Sequence, residues 1–288
     1  MLQSRGDRLF GGINYFVLGV VALLTFFPIY YVLVISFTDS TEYLTKDFIL
    51  FPEKLSVDAY RYLLSTPAFI RSLGNSAFLA GVGTVCSLAV TASLAYALSR
   101  KRLRGRRVML LLILFTVLFN PGIIPNYLLV RELGLINNIW SLIFPALASG
   151  WNVILMKGFY DSIPAELEES AAIDGCNDLG IWFRIILPLS LPSIAAFGLF
   201  YAVGYWNQFF NALLYLNDAA KWPIQVLLQN LLISSSNSEL ATSSYTVKPP
   251  TEMLKMAAVM ISTVPILGVY PFLQKYFAKG AMVGSVKG

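Results

Sequence analysis

The residues best placed to do chemistry lie between Pro164 and Pro192, in the stretch PAELEESAAIDGCNDLGIWFRIILPLSLP. Glu166, Glu168 and Glu169 precede the small residues Ser170, Ala171 and Ala172, which lead into Asp174-Gly175. What these types offer is electrostatic rather than catalytic. Ser162 is a plausible N-cap, Pro164 sits in the first turn, and the three glutamates lie near the positive end of the helix dipole. Ala165 and the Ser-Ala-Ala run keep the helix slim. Gly175 suits the left-handed position that stops it. The spacing predicts a short helix of about three turns with a sharp end.

A second short helix is expected from Asp178 as N-cap through Ile181-Trp182-Phe183-Arg184-Ile185-Ile186-Leu187, until Pro188 opens a long apolar segment. A helix, a glycine turn and a second helix leading into the membrane can transmit a push. The same pattern also describes an ordinary capped connector, and the residues alone leave both readings open.

The remaining inventory excludes much. The chain has no histidine, which removes the commonest general base and metal ligand. It has no phosphate loop: Gly280 to Ser285 lacks the required lysine and lies at a membrane end rather than after a strand. It is therefore not expected to hydrolyse ATP by itself. Cys86 and Cys176 make no disulfide framework.

A second group of candidates is aromatic and amide-bearing. Tyr201, Tyr205, Trp206, Asn207, Gln208 and Asn211 fall within about three turns, and Tyr201, Tyr205 and Gln208 share a stripe at i, i+4, i+7. Aromatic faces cover sugar rings, and amides and hydroxyls bind sugar hydroxyls. Amides are costly in hydrocarbon unless satisfied, so this stripe either lines a polar path or makes interhelical hydrogen bonds. Tyr and Trp also mark membrane interfaces. Asn152 and Asn120 are weaker candidates. No Arg or Lys lies at this depth, so an anionic sugar would be met by neutral donors, water or a partner.

The elements that must position these groups follow from composition. Of 288 residues, 57% are hydrophobic and 13% charged, a surplus of apolar side chains that a soluble core does not absorb. Charge-free apolar windows run at 13–37, 72–99, 108–130, 133–156, 188–216 and 256–274. Each meets the requirement of about 20 helical residues for a hydrocarbon core of roughly 30 Å. The expected class is all-α, a polytopic membrane protein with six transmembrane helices. A membrane barrel would show alternating segments of about 10 residues. The first window is too long for a signal-peptide core and no small-residue cleavage site follows it. It is expected to stay as the first helix.

Arg100-Lys101-Arg102-Leu103-Arg104-Gly105-Arg106-Arg107 carries six basic residues and no acid, a cytoplasmic marker under the positive-inside rule. The net charge of +5 therefore reads as topology and not as nucleic-acid binding. Six crossings put both termini in the cytoplasm, in agreement with Arg5, Arg8, Lys275, Lys279 and Lys287. Residues 38–71, 131–137 and 217–255 are then external, and 100–107 and 157–187 internal. Acids outnumber bases in 157–187, where Lys157 and Arg184 face Asp161, Glu166, Glu168, Glu169, Asp174 and Asp178.

The loop 38–71 is expected to be ordered, with a short helix near 57–65. The loop 217–255, with Trp222-Pro223, Ser234-Ser235-Ser236 and Pro249-Pro250, reads as turn-rich and partly flexible. Asn120-Pro121-Gly122 and Pro125 predict a kinked or broken third helix, buried inside the bundle because such backbone is tolerated at depth only against protein or water. No window contains the ionisable group that a proton- or voltage-driven carrier commonly uses, so energy is expected from another subunit.

The stretch 164–192 resembles the EAA loop of ABC-importer membrane subunits, which has the form E-A-A, then D-G, then a hydrophobic segment ending in L-P. One residue departs from it: Ser170 stands where alanine is usual. The segments NSAFLAGVGTVCSLAVTASLAYALSR, GLFYAVGYWNQFFNALLYL and YPFLQKYFAKGAMVGSVKG are similar to carbohydrate permeases of the maltose-permease type, most closely those importing oligosaccharides and polysaccharide fragments, including uronate polymers such as alginate.

The resemblance spans the chain and implies a single transmembrane permease domain over 1–288, with the type I importer fold and 157–187 as the coupling loop. It implies a second permease subunit, a homologue, together with two nucleotide-binding ATPase subunits, an extracytoplasmic solute-binding protein docking on 38–71 and 217–255, and an oligosaccharide substrate. ATP and Mg would be bound by the partner ATPases, with no cofactor or metal in this chain. The implied location is the bacterial cytoplasmic (inner) membrane, in contact with lipid. ATPase coupling falls to Glu168, Glu169, Ser170, Ala171, Ala172, Asp174 and Gly175, Glu169 making the polar contact and Gly175 setting the turn. The alternatives are a secondary carrier or channel without ATPases, which needs an ion-coupling site or an uncoupled pore, and an intramembrane enzyme, which needs a catalytic group at depth.

Overall fold

In the computed structural model, residues 5–233 and 249–284 are described, with side chains over 10–233 and 249–269. Ser234-Ser235-Ser236 and Lys287 lie outside the described residues, as do the side chains of Arg5, Arg8, Lys275 and Lys279. Among the described residues every regular element is a helix, joined by turns and irregular segments such as 46–57. An isolated bridge pairs Thr38 with Leu55.

The chain divides into two units. The first comprises 1–70 and 230–264. It opens with α1 (Arg5–Ser36), exposed on nearly all faces from Phe10 to Phe27, as expected of a helix whose solvent is hydrocarbon. The turn after it is pinned by Tyr30, whose hydroxyl donates to the Leu50 carbonyl at 2.7 Å, and by Ser36, which shares a 2.7 Å hydrogen bond with Tyr60.

The expected order in 38–71 is present, as α2 (Ser40–Thr45) and α3 (Asp58–Ser65). Its anchor is the buried carboxylate of Glu42, which accepts from the backbone N–H groups of Glu53 and Lys54 at 3.0 Å and from Lys46 Nζ at 2.9 Å. Those donors hold its pKa below the ordinary value, the Glu53 amide first and the Lys46 ammonium next.

The second unit comprises 71–229 and 265–288. Its centre is α4 (Pro67–Ser99), one continuous span interrupted only by a π turn over Leu79–Gly83. Three other apolar stretches are bent. α5 (Arg106–Leu118) and α6 (Ile123–Glu132) meet at 118°. Short 3-10 turns over Ile139–Ala146 meet α7 (Gly150–Asp161) at 48°. After α8 (Ala165–Ile173), α9 (Asp178–Leu189) meets α10 (Leu191–Trp206) at 79°. The chain continues through α11 (Phe210–Tyr215), α12 (Ile224–Ile233) and α13 (Thr251–Gly284), the last two crossing the unit boundary.

Among the described residues, three helices are thus long and apolar enough to cross a bilayer, or up to six if each bent pair is one crossing. The six expected windows map onto these in order, with corrections. The window 133–156 is not one helix, since 3-10 turns over Ile139–Ala146 precede α7 at the 48° bend. The break after Leu118 occurs where Asn120-Pro121-Gly122 predicts it, and Gly122 takes φ +86°. Its surroundings differ from expectation: residues 118–126 are exposed in this chain rather than buried within its bundle. The window 188–216 is not one helix, since Pro188 and Pro192 flank a turn at Ser190 and α11 forms separately beyond Trp206. Finally, 224–233 is a regular apolar helix with Val226, Leu227 and Leu228 buried, not a turn-rich loop. Its first free amide, that of Ile224, donates to Ser76 Oγ at 2.8 Å, and Asn75 Nδ2 donates to the carbonyls of Ala220 and Trp222 at 3.0 and 3.1 Å.

Two apolar clusters hold the second unit together. One joins Ala92, Ala95 and Leu98 of α4 to Val153, Met156 and Tyr160 of α7, Ala171 of α8, Ile181 and Ile186 of α9 and Phe197 of α10. The other gathers Leu79, Val130, Leu142, Ile143, Tyr201, Tyr205, Ala212, Tyr215, Leu216 and Val226.

Candidate functional site

The acidic stretch folds into the predicted helix, turn and helix, with two changes at the caps. Ser162 does not cap α8. Its hydroxyl bonds back to the Phe159 carbonyl at 2.7 Å, closing the preceding helix α7, and Pro164 occupies the position before Ala165 with no side-chain cap. The second cap lies one residue earlier than expected: Asn177 Oδ1 accepts from the Gly180 N–H at 2.8 Å, and Asp178 is the first helical residue. Both shifts have one cause. Capping side chains compete locally, and a serine within reach of a free carbonyl donates to it.

The stop at Gly175 is as predicted. The glycine has φ +83°, the Cys176 N–H donates to the Ala171 carbonyl at 2.9 Å and the Gly175 N–H to that of Ala172 at 3.0 Å. This pair of bonds is a Schellman motif. Ala171 turns inward and joins the apolar cluster, while Glu166, Leu167, Glu169, Ser170, Ala172, Ile173 and Asp174 are exposed. Ile173 is 86% exposed, so the tip of α8 is an apolar side chain left uncovered by this chain. With Glu166 and Glu169 also exposed, α8 carries two carboxylates and a small apolar face outward.

Glu168 behaves differently from its neighbours. It pairs with Arg100, the residue that follows α4, and the two side chains are 17% and 15% exposed. Arg102 pairs with Asp178 at the start of α9. The Arg100 guanidinium also lies over the Tyr96 ring, 4.7 Å from its centroid. Burial lowers its pKa while Tyr96 and Asp161 oppose that effect, and an arginine keeps its charge regardless.

The basic run and the acidic stretch, read separately in the sequence, thus close on each other around a groove of about 930 Å³ lined by Arg100, Lys101, Arg106, Glu166, Glu168, Glu169 and Ala172. Sequence reasoning missed this pairing. The signal available was opposite charge on two loops of the same side, which gives no register.

Tyr201 and Tyr205 of the aromatic stripe lie on α10, and Gln208 follows its end. Tyr201, Tyr205 and Gln208 come together, as their spacing predicts, on the wall of a cavity of about 290 Å³ shared with Ala146, Ala148, Ser149, Phe200 and Gly204. The two tyrosine hydroxyls are engaged across the bundle: Tyr205 with Ser87 at 2.8 Å, and Tyr201 with Thr91 at 2.7 Å and as acceptor from the Ser149 N–H at 3.3 Å. Trp206 is buried. Asn207 is exposed and accepts from Gln225 at 3.3 Å, Asn211 is exposed, and Asn152 is half-buried on α7. None of those four lines the small cavity. Asn120 accepts from the Gly122 N–H at 2.9 Å and serves the break itself. Among the described residues no group of His, Cys, Asp and Glu is arranged to hold a metal ion.

Described residues whose regular elements are all helices, with bent apolar crossings and a charged helix docked on the basic loop, fit a membrane component of a larger machine. Residues 89–283 match the family model for the binding-protein-dependent transport system inner membrane component. The chain belongs to this family and is a multi-pass inner-membrane permease subunit of an ABC transporter with the type I importer fold. It is 49% identical to the polygalacturonan/rhamnogalacturonan transport system permease protein YtcP of Bacillus subtilis, over 98% of this chain and 99% of that one. It is 46% identical to protein LplC of the same organism, over 100% and 98%. A crystal structure of a bacterial ABC transporter involved in the import of the acidic polysaccharide alginate contains a chain that matches with TM-score 0.89 and 36% identity, over 96% of this chain and 99% of that one.

Proposed function

We propose that this chain forms one half of the translocation path of an importer for acidic oligosaccharides or polysaccharide fragments. A second, homologous permease would supply the other half. Two ATPase subunits, which bind ATP and Mg, would dock on α8 from the cytoplasm, and a solute-binding protein would dock on 38–71 and 217–255 from outside. Both termini then lie in the cytoplasm, and the chain performs no catalysis itself.

The observation that carries this reading is α8, whose outward face combines Glu169, Ala172 and the exposed Ile173 before an abrupt Schellman stop. Such a face suits a cleft in a partner, and a partner shifts a conformational equilibrium only by binding one state better than the other. The substrate class is supported by two relatives whose names refer to polygalacturonan/rhamnogalacturonan and to alginate, polymers that carry uronate carboxylates. In this chain the sugar would meet the rings of Tyr201 and Tyr205, whose hydroxyls are engaged across the bundle, and the neutral amide of Gln208.

The test is affinity purification of the tagged chain from detergent-solubilised membranes, followed by an ATPase assay with and without oligogalacturonate or oligoalginate and the binding protein. Recovery of an ATPase and a second permease is expected, with hydrolysis rising only on addition of the loaded binding protein. A stable complex without an ATPase would make α8 a connector and favour the carrier reading.

A further inference from the structure

We propose that Arg100, braced by Tyr96, is the positioning residue that fastens α8 and α9 to the end of α4, so that displacement of α8 moves α4 with it. This rests on the ABC-permease reading above, and it names the joint through which a push on α8 would reach the bundle.

Arg100 follows the last turn of α4, and Tyr96 lies one turn back on the same face. The guanidinium pairs with Glu168 of α8. Tyr96 supports it from beneath, donates its hydroxyl to the Asp178 carbonyl at 3.3 Å and stacks on Trp182 with centroids 6.0 Å apart. The end of α4 therefore holds the chain on both sides of the Gly175 turn. Higher on α4, Ser87 and Thr91 are bonded to Tyr205 and Tyr201 of α10.

Membrane orientation does not account for this arrangement. The positive-inside rule needs only net positive charge near a helix end, which Lys101, Arg104 and Arg107 supply while remaining exposed. Arg100 is instead largely buried with its partner. Separating such a pair leaves two largely buried charges without their partner, which makes the joint stiff where the exposed bases are not.

The experiment uses the complete complex in proteoliposomes and reads sugar taken up per ATP hydrolysed. Recovery of ATPase with the unaltered chain is read first. Its absence sinks the permease reading and this inference with it, whereas its presence with an unchanged ratio in Arg100→Gln sinks this inference alone. The expected result is a fall in that ratio of about fivefold or more in Arg100→Gln, the range of a coupling interaction, with ATPase still bound. The exchange Arg100→Glu with Glu168→Arg is expected to recover most of the lost coupling, which a role in folding alone would not predict; an assembled exchange variant that stays uncoupled overturns the proposal.

A second arm does not depend on the charges. In a chain carrying Cys86→Ser and Cys176→Ser, positions 100 and 168 are replaced by cysteine and bridged with a bifunctional thiol reagent. Uptake per ATP should rise on bridging. A block of transport on bridging would show that the two helices move independently.

Discussion

The ring of Tyr205 occupies the space that a β-carbon on Gly83 would need: a methyl group built there lies 2.8 Å from the ring. This contact sits in the π turn of α4 and lets α10 approach closely enough for the Tyr205 hydroxyl to reach Ser87. Gly83→Ala should therefore cost about 1–3 kcal/mol through overpacking. Thermal unfolding of the detergent-solubilised complex would show it. Combining it with Tyr205→Leu should give less loss than the sum of the two single changes, because contacting residues are not additive.

Tyr201→Phe separates two roles of the stripe. The hydroxyl links Thr91 to the Ser149 N–H, and hydrogen bonds between membrane helices contribute about 0.6 kcal/mol on average and up to ~1.7. We expect a loss of stability in that range with the half-saturating sugar concentration for uptake unchanged. A rise in that concentration with no loss of stability would assign the hydroxyl to the substrate.

Glu42 makes the segment after α1 sensitive to acid. Its folded pKa is below the ordinary value of 4.5, so its contribution is fully present above that value and is lost as pH falls through the lowered one. Limited proteolysis of 38–71 should accelerate on acidification below about pH 4.5. Glu42→Gln should be cleaved readily at neutral pH and show little further change on acidification.

Gly175 is required by its φ of +83°. Valine in the left-handed region costs roughly 1–2 kcal/mol, and Gly175→Val should loosen the stop of α8 and lower sugar uptake per ATP while leaving membrane insertion intact. Gly175→Asn, which tolerates this conformation, should be milder. Glu169→Lys alters an exposed carboxylate and is expected to reduce ATPase recovery in the purification; an undiminished yield of coupled complex would remove Glu169 from the interface.

Local signals account for most of what could be read from the residues. Apolar runs located the crossings, Pro121-Gly122 located the sharpest bend, and Gly175 located the stop of α8, because each acts within a turn or two of itself. Cap identity was less legible, since Ser162 and Asn177 had neighbouring groups competing for the same bonds. The Arg100–Glu168 pair was invisible for another reason: 67 intervening residues and two bent segments decide that contact, and charge alone has no register. Glu42 was hidden likewise, its partners being backbone amides 11 and 12 residues away, which no side-chain pattern announces.

The break between α5 and α6 also bears on how the chain enters the membrane. The two helices have 13 and 10 residues, or about 20 and 15 Å of length, and neither alone matches a hydrocarbon core of roughly 30 Å. During synthesis the insertion machinery meets two half-length segments in succession, with Pro121 and Gly122 between them. Neither is fit for release into lipid by itself. The bend stays exposed in the folded chain, so shelter for its open backbone has to come from outside this chain, and stable insertion of this region is expected to wait on assembly with a partner where α1 and α4 need no such escort.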